Sequence, residues 1–311
     1  MASVMPLNIS MEGRCNLMWA MAVACGTQTL IWLALTLLAL YAIDYAATYL
    51  HEDDWPHVWR LISSQASLCL GLAVLYLPGC VLAVECTSAT CCPQFGRVLS
   101  IWLLATTVAM FCAQVTFWIM SGSEDNLRAQ FHRSMLRGLA LYTTDLSWKA
   151  NLDLAQYSLA CCGVDGLHDW NGSDWLHEGT FNVNKSIEME SYQIPGIVPW
   201  SCCKQEYGSA CLHDILQLSD WAHLWKDKPE QVEESLHSAG CVDIIIHPIA
   251  VALFLPWWWC LAPLSLCLHI SMTVMAQYLY TSTANSVLLG DPISTAPGWL
   301  LHHRKGAVSK Q

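Results

Sequence analysis

Residues Asn16–Ile43, NLMWAMAVACGTQTLIWLALTLLALYAI, carry no charged side chain from end to end. A helix needs about 20 apolar residues to cross the hydrocarbon layer of a bilayer, and this run exceeds that. It also exceeds the ~7–15 apolar residues of a cleaved secretory leader, so it reads as an anchor helix that stays in the chain. Three more charge-free runs follow: Leu61–Val84, Val98–Gly122 and Ile244–Tyr280. Pro248, Pro256, Pro263 and two histidines interrupt the last one. Membrane helices tolerate prolines because neighbouring groups re-satisfy the freed carbonyls. Of 311 residues, 54% are hydrophobic and 13% charged, about half the charged fraction of an average globular protein. The apolar residues are gathered into four blocks, which argues against a set of buried helices in a soluble core.

Four spans place both ends of the chain on one side. The segments on that side are an N-terminal tail (1–16), a short link (85–97) and a C-terminal tail (277–311). Together they carry 5 basic and 3 acidic residues. The other side receives a small loop (44–60) and a large one (121–243), with 9 basic and 22 acidic residues. Basic residues favour the cytoplasmic side. The expected layout is therefore spans at 17–43, 61–84, 98–120 and 244–276, cytoplasmic tails, and both loops outside, in the plasma membrane or an endomembrane. Two glycosylation sequons, at Asn171 and Asn184, fall in the large loop, where glycans can be added. A third, at Asn8, falls inside.

Outside the cell, cysteines oxidise. The large loop holds six: Cys161, Cys162, Cys202, Cys203, Cys211 and Cys241. An even number in that compartment reads as three disulfides, with fifteen possible pairings. A zinc site needs reduced thiolates, usually at C-x₂₋₄-C spacing. Adjacent cysteines cannot easily aim both sulfurs at one ion, and no C-x-x-C redox motif is present.

The loop also contains helical patterns. Over Glu124–Tyr142, Leu127, Phe131, Leu139 and Tyr142 recur at helical spacing. Asp145 can cap a second helix through Leu159, with Trp148, Leu152, Ala155 and Leu159 on one stripe. Pro229 suits the first turn of a third, expected to run through Val232, Leu236 and Cys241 into the fourth span. Between them, Gly163–Asp227 is rich in Gly, Pro, Asn and Trp and reads as irregular. The fold class is thus an all-α membrane protein with a disulfide-stapled, mostly helical outer loop between spans three and four.

These features resemble the tetraspanin family: four spans, a small and a large outer loop, CCG at Cys161–Gly163, and PWSCC at Pro199–Cys203. The finer similarity is to the peripherin branch, the rim glycoproteins of photoreceptor discs. It rests on CCGVDGLHDWNGSDW (Cys161–Trp175), GIVPWSCC (Gly196–Cys203), GSEDNLRAQFHRSMLRGLALY (Gly122–Tyr142) and the YLYTS and GWLL stretches near the C-terminus. The resemblance implies a pairing: Cys161 with Cys241, Cys162 with Cys202, and Cys203 with Cys211. It also implies a non-enzymatic scaffold that binds itself and other membrane proteins laterally and shapes membranes as in disc rims. One departure stands out. The branch carries a further loop cysteine that links chains, and here that position is Leu146, so self-association is expected to be non-covalent.

Juxtamembrane cysteines are candidates for palmitoylation, here Cys15, Cys86, Cys91 and Cys92. Cys69, Cys80, Cys112, Cys260 and Cys267 fall inside spans and read as small packing residues. Gln28 and Gln114 are lone polar groups in the first and third spans, able to hydrogen-bond between helices. His269 in the fourth reads as a packed residue. Trp170, Trp175, Trp200, Trp221 and Trp225 are candidate contact residues, tryptophan being enriched at binding hot spots. No GxSxG, P-loop, HExxH or paired-carboxylate motif is present, so no catalytic residue, cofactor, metal, nucleic acid or small-molecule substrate is expected. A transporter or channel should line its path with ionisable residues, and the charge inside these spans is near zero. Claudin-like proteins put their large loop between spans one and two. A receptor using the large loop as a binding head remains the alternative to a scaffold.

Overall fold

The computed structural model describes residues 6–87, 93–172, 198–213, 229–254 and 258–300. In chain order the first elements are β1 (Leu7–Ile9), α1 (Met11–Tyr49), α2 (Trp55–Thr87), α3 (Pro93–Ser121), α4 (Glu124–Ala140) and α5 (Leu146–Leu159). Then come α6 (Pro229–Ser235), α7 (Cys241–Phe254), α8 (Trp258–Leu288) and β2 (Ala296–Gly298), with short 3₁₀ turns at Leu167–Gly172, Trp200–Cys202 and Gln205–Ala210. Among the described residues, four helices are long and apolar enough to cross a membrane: α1, α2, α3 from Phe95, and α8 over Leu261–Leu288. The charge-free run that reads as one span, 244–276, carries two helices, α7 and α8. Residues 255–257 between them lie outside those described.

The chain divides into two compact units. The first is Met1–Ala39, Ser64–Ile119 and Leu255–Gln311. Its core takes Met21, Cys25, Trp32 and Leu35 from α1, Cys69, Leu72 and Tyr76 from α2, Leu99, Trp102 and Met110 from α3, and Met272, Ala276 and Leu279 from α8. Facing outward, Trp19, Leu30, Leu37, Val81, Ile101, Leu104 and Phe111 are each at least 60% exposed. In water each such side chain would forgo roughly 1.5–3 kcal/mol of burial. Lipid tails remove that penalty, and the inward third of each helix then needs other reasons to associate. Polar groups supply some. Gln28 Nε2 donates to Ser265 O (2.6 Å), while Gln28 Oε1 accepts from Ser265 Oγ (2.8 Å) and Trp32 Nε1 (3.1 Å). Gln114 Nε2 donates to Ala262 O at 3.4 Å.

The segments read as tails are partly ordered structure in this unit. β1 pairs antiparallel with β2, Leu7 opposite Gly298 and Ile9 opposite Ala296. Arg14, 2% exposed, holds the turn before β2. Its guanidinium donates to Pro292 O (2.7 Å), Ser294 O (3.1 Å) and Ser282 Oγ (3.4 Å), and reaches Ile9 O at 3.5 Å. A buried cation needs that many acceptors to offset the loss of water.

The second unit is Leu40–Ser63 and Met120–Phe254. α4 and α5 form an antiparallel hairpin that packs on α7. The stripes expected of α4 and α5 largely face inward: Leu127, Phe131, Leu139, Tyr142, Trp148, Leu152 and Ala155 are buried, while Leu159 is half-buried. Asp145 caps α5, its carboxylate accepting from Ser147 N and Trp148 N. Those bonds hold its pKa below the ordinary carboxylate range, the Trp148 N–H contributing most. Gly138 is required by packing. A Cβ there would run into the Trp148 indole.

The expected helix from Pro229 through Cys241 does not form. α6 stops at Ser235, Leu236 bridges Cys203 in antiparallel fashion, and α7 starts afresh at Cys241. The reason is where the backbone bonds go. Lys204 N and His237 N bond Ser235 O and Cys202 O, Cys162 N bonds Ala239 O, and Cys241 N and Val242 N bond Gly163 O and Val164 O. Residues 235–242 thus strap two distant turns together, and a continuous helix would orphan those buried groups.

Candidate functional site

The disulfide-stapled unit is built around the turn after α5. Ala160 ends that helix in the left-handed conformation (φ 55°), and Gly163 follows at φ 68°, a region costly for a side chain. The chain then curls around one carboxylate: Val164 N, Asp165 N and Gly166 N all donate to Asp169 Oδ2, at 2.9, 2.7 and 3.1 Å. The next residue, Trp170, is fully buried and meets the Tyr142 ring edge-on at 4.9 Å. Three bridges fasten this turn. Cys161 joins Cys241, Cys162 joins Cys202, and Cys203 joins Cys211, with Cα separations of 5.1, 5.0 and 5.9 Å. All six cysteines are buried.

A polar cluster links α5 to the second cysteine pair. Asp153 accepts from Tyr142 OH (2.8 Å), Lys149 Nζ (3.1 Å) and Ser201 Oγ (2.7 Å), and Ser201 Oγ also reaches Gln156 Oε1 (2.7 Å). Burial, and then the neighbouring Asp153, push the Tyr142 phenol pKa up. The small loop docks on the same unit. His51 N donates to Ser134 Oγ (2.7 Å), its ring meets Trp148 edge-on (5.7 Å), and Arg137 pairs with Asp53 and Asp54 at 3.0 and 3.5 Å. Arg128 and Asp243 pair at 2.7 Å, and this bond lowers the pKa of Asp243 and raises that of Arg128.

Sequence reasoning missed an outward face of α5. Leu146, Leu154 and Tyr157 are 79%, 58% and 51% exposed. With Ala150 they recur at i, i+4, i+8 and i+11, a second apolar stripe on one helix face. Ser147, Asn151 and Ser158 flank it on one side, and the Lys149–Asp153 ion pair borders it on the other. The signal was in the sequence, overshadowed by the stronger inner stripe.

Of the candidate contact residues, Trp170 belongs to the unit's own core and presents no contact surface. Trp200 is half exposed, edge-on to His213 at 5.1 Å. Trp175, Trp221 and Trp225 lie outside the described residues, as do Asn184, Cys91 and Cys92. Asn171 falls in the 3₁₀ turn Leu167–Gly172. Cys86 is fully buried in the first unit, which removes it as an accessible acylation site, whereas Cys15 is half-buried. Among the described residues, no group of three or more His, Cys, Asp or Glu side chains could hold a metal ion.

The tetraspanin family model matches residues 17–281. The chain is 22% identical over 242 residues to photoreceptor outer segment membrane glycoprotein 2 of Gallus gallus, covering 71% of this chain and 63% of that protein. It is 26% identical over 215 residues to peripherin-2 of Mus musculus, covering 62% of this chain and 58% of the relative. Rod outer segment membrane protein 1 of Homo sapiens matches at 31% over 106 residues, 32% of this chain and 30% of that protein. The first two matches thus span less than two thirds of those relatives' own length.

Proposed function

Because the chain belongs to the tetraspanin family, we propose that it is a multi-pass membrane scaffold that associates laterally with further copies of itself and with other membrane proteins. The observation that carries this reading is the outward face of α5. It is an apolar stripe whose bordering charges, Lys149 and Asp153, are paired with each other, on a unit whose loops are strongly acidic, so two such units can approach there with little net repulsion and with apolar gain. All six loop cysteines are consumed in bridges within the chain, which favours a non-covalent contact. Trp200, half exposed, is a further candidate contact residue, and Trp175, Trp221 and Trp225 are candidates by residue type alone. The names of two of these relatives refer to photoreceptor or rod outer segments, and shaping a curved membrane there is the finer form of this reading. We assign cytoplasmic tails, glycans at Asn171 and Asn184, and acyl chains at Cys91, Cys92 and Cys15 on the same basis.

The test is native mass measurement in mild detergent beside a non-reducing gel. The expected result is a dimer or larger form in detergent and a monomer on the gel. Leu154→Glu combined with Tyr157→Glu should shift the detergent species toward monomer. A reducible dimer on the gel would contradict the reading, because one of the six cysteines would have to bond between chains.

A further inference from the structure

Within the charge-free stretches of the four spanning helices, His269 of α8 is the one side chain besides cysteine and tyrosine that can exchange a proton. An ionisable group at membrane depth is costly to place and calls for a role. His269 is buried, at 4% exposure, and both ring nitrogens are engaged. Thr107 Oγ1 gives its single proton to Leu103 O at 2.6 Å. Its 3.0 Å contact with His269 Nε2 therefore has the ring donating. Nε2 carries the hydrogen, Nδ1 holds the lone pair, and the Tyr76 hydroxyl donates to Nδ1 at 2.9 Å. One neutral tautomer thus ties α8 to α2 and α3.

Nothing around the ring can compensate a second proton. From α2 comes the Tyr76 phenol. From α1 comes the Cys25 thiol, which lies against Met272 of α8 at 3.3 Å. From α3 comes the Thr107 hydroxyl, and α8 has no Asp, Glu, Lys or Arg of its own. Glu85 on α2 and Arg97 on α3 sit about 14–15 Å away along their helices, and Glu12, Arg14 and Asp44 lie toward the ends of α1. A proton on Nδ1 would turn that acceptor into a donor facing the Tyr76 hydroxyl and leave an unpaired charge among apolar helices. The ring can take up a proton only once the contact has opened to water.

We propose that Tyr76–His269–Thr107 is an acid-released joint: neutral imidazole fastens α8 to α2 and α3, and protonation of the opened ring keeps it open. The proton adds to Nδ1, and the Tyr76 hydroxyl and Thr107 oxygen return to other partners. A free imidazole titrates near pH ~6.5. Below that, each pH unit should favour the open state by up to about tenfold.

Two native cysteines report on the joint. Cys25 is buried against Met272, within a turn of His269, whereas Cys267 is exposed on α8. The full chain in detergent micelles is treated with N-ethylmaleimide across pH 7.5 to 5.0, and labelling at the two positions is read by peptide mass spectrometry. The Cys25 to Cys267 ratio cancels the common effect of pH on thiolate content. The ratio should climb by up to about tenfold per unit below pH ~6.5, and His269→Gln should flatten the climb. A ratio that stays constant in the unmodified chain overturns the proposal, as does an equal climb in H269Q. If H269Q does not fold, the unmodified chain still decides.

Discussion

Gly138→Ala is the sharpest single-residue probe of the stapled unit, because the added methyl and the Trp148 indole cannot both fit. Overpacking of this kind costs typically 1–3 kcal/mol, and the loss should appear as a lower denaturation midpoint. Tyr142 gives a probe with a sign in pH. Its folded-state phenol holds the proton more tightly than the unfolded one. The unfolded chain therefore deprotonates first as pH rises past about 10, and stability falls there. Tyr142→Phe should show a shallower alkaline decline between about pH 9 and 11, measured by thermal unfolding. A steeper decline would contradict the assignment. The same small region shows why residue type alone misleads. Trp170 looks like a contact residue by composition, yet it closes the core over Tyr142, because Asp169 beside it pins the turn that turns the indole inward.

At the scale of elements, legibility tracks how local the determinants are. α4 and α5 could be read because their stripes and the Asp145 cap lie within the helices themselves. The strap at 235–242 could not. Its hydrogen-bond partners, residues 162–164 and 202–204, are tens of residues away in sequence and close in space only after the bridges form. The β1–β2 pair is harder still: three-residue strands, one containing Pro297, carry no alternation to detect. The bridge Cys161–Cys241 spans a sequence separation of 80 and anchors the strap to the end of α5. Removing a native disulfide from a small secreted domain typically costs 2–5 kcal/mol. Cys161→Ser should therefore lower the thermal midpoint and cause retention in the secretory pathway. A variant that reaches the surface with unchanged stability would show that the strap holds without this bridge.

For the whole molecule, the four charge-free runs were enough to read a membrane protein, since each is long enough to cross the hydrocarbon layer as a helix. They were not enough to place the fourth span. An apolar run looks the same whether its helix is long enough to cross a membrane, as α8 is over Leu261–Leu288, or is short and packs against α4, as α7 does. On intact cells, added protease should cut within 121–243 and spare both tails, and cleavage of the N-terminal tail would invert the layout. The clasp of β1, β2 and Arg14 adds a dimension of time. A ribosome makes β1 before the four spanning helices described and β2 after them, so nearly three hundred residues must emerge between Leu7 and Gly298 before the two can meet. A nascent chain halted before Ala296 cannot form the strand pair. One halted before Ser282 also leaves Arg14 without its three shorter acceptor contacts, a cation held by Ile9 O at the start of α1 until residues 282–294 have been made.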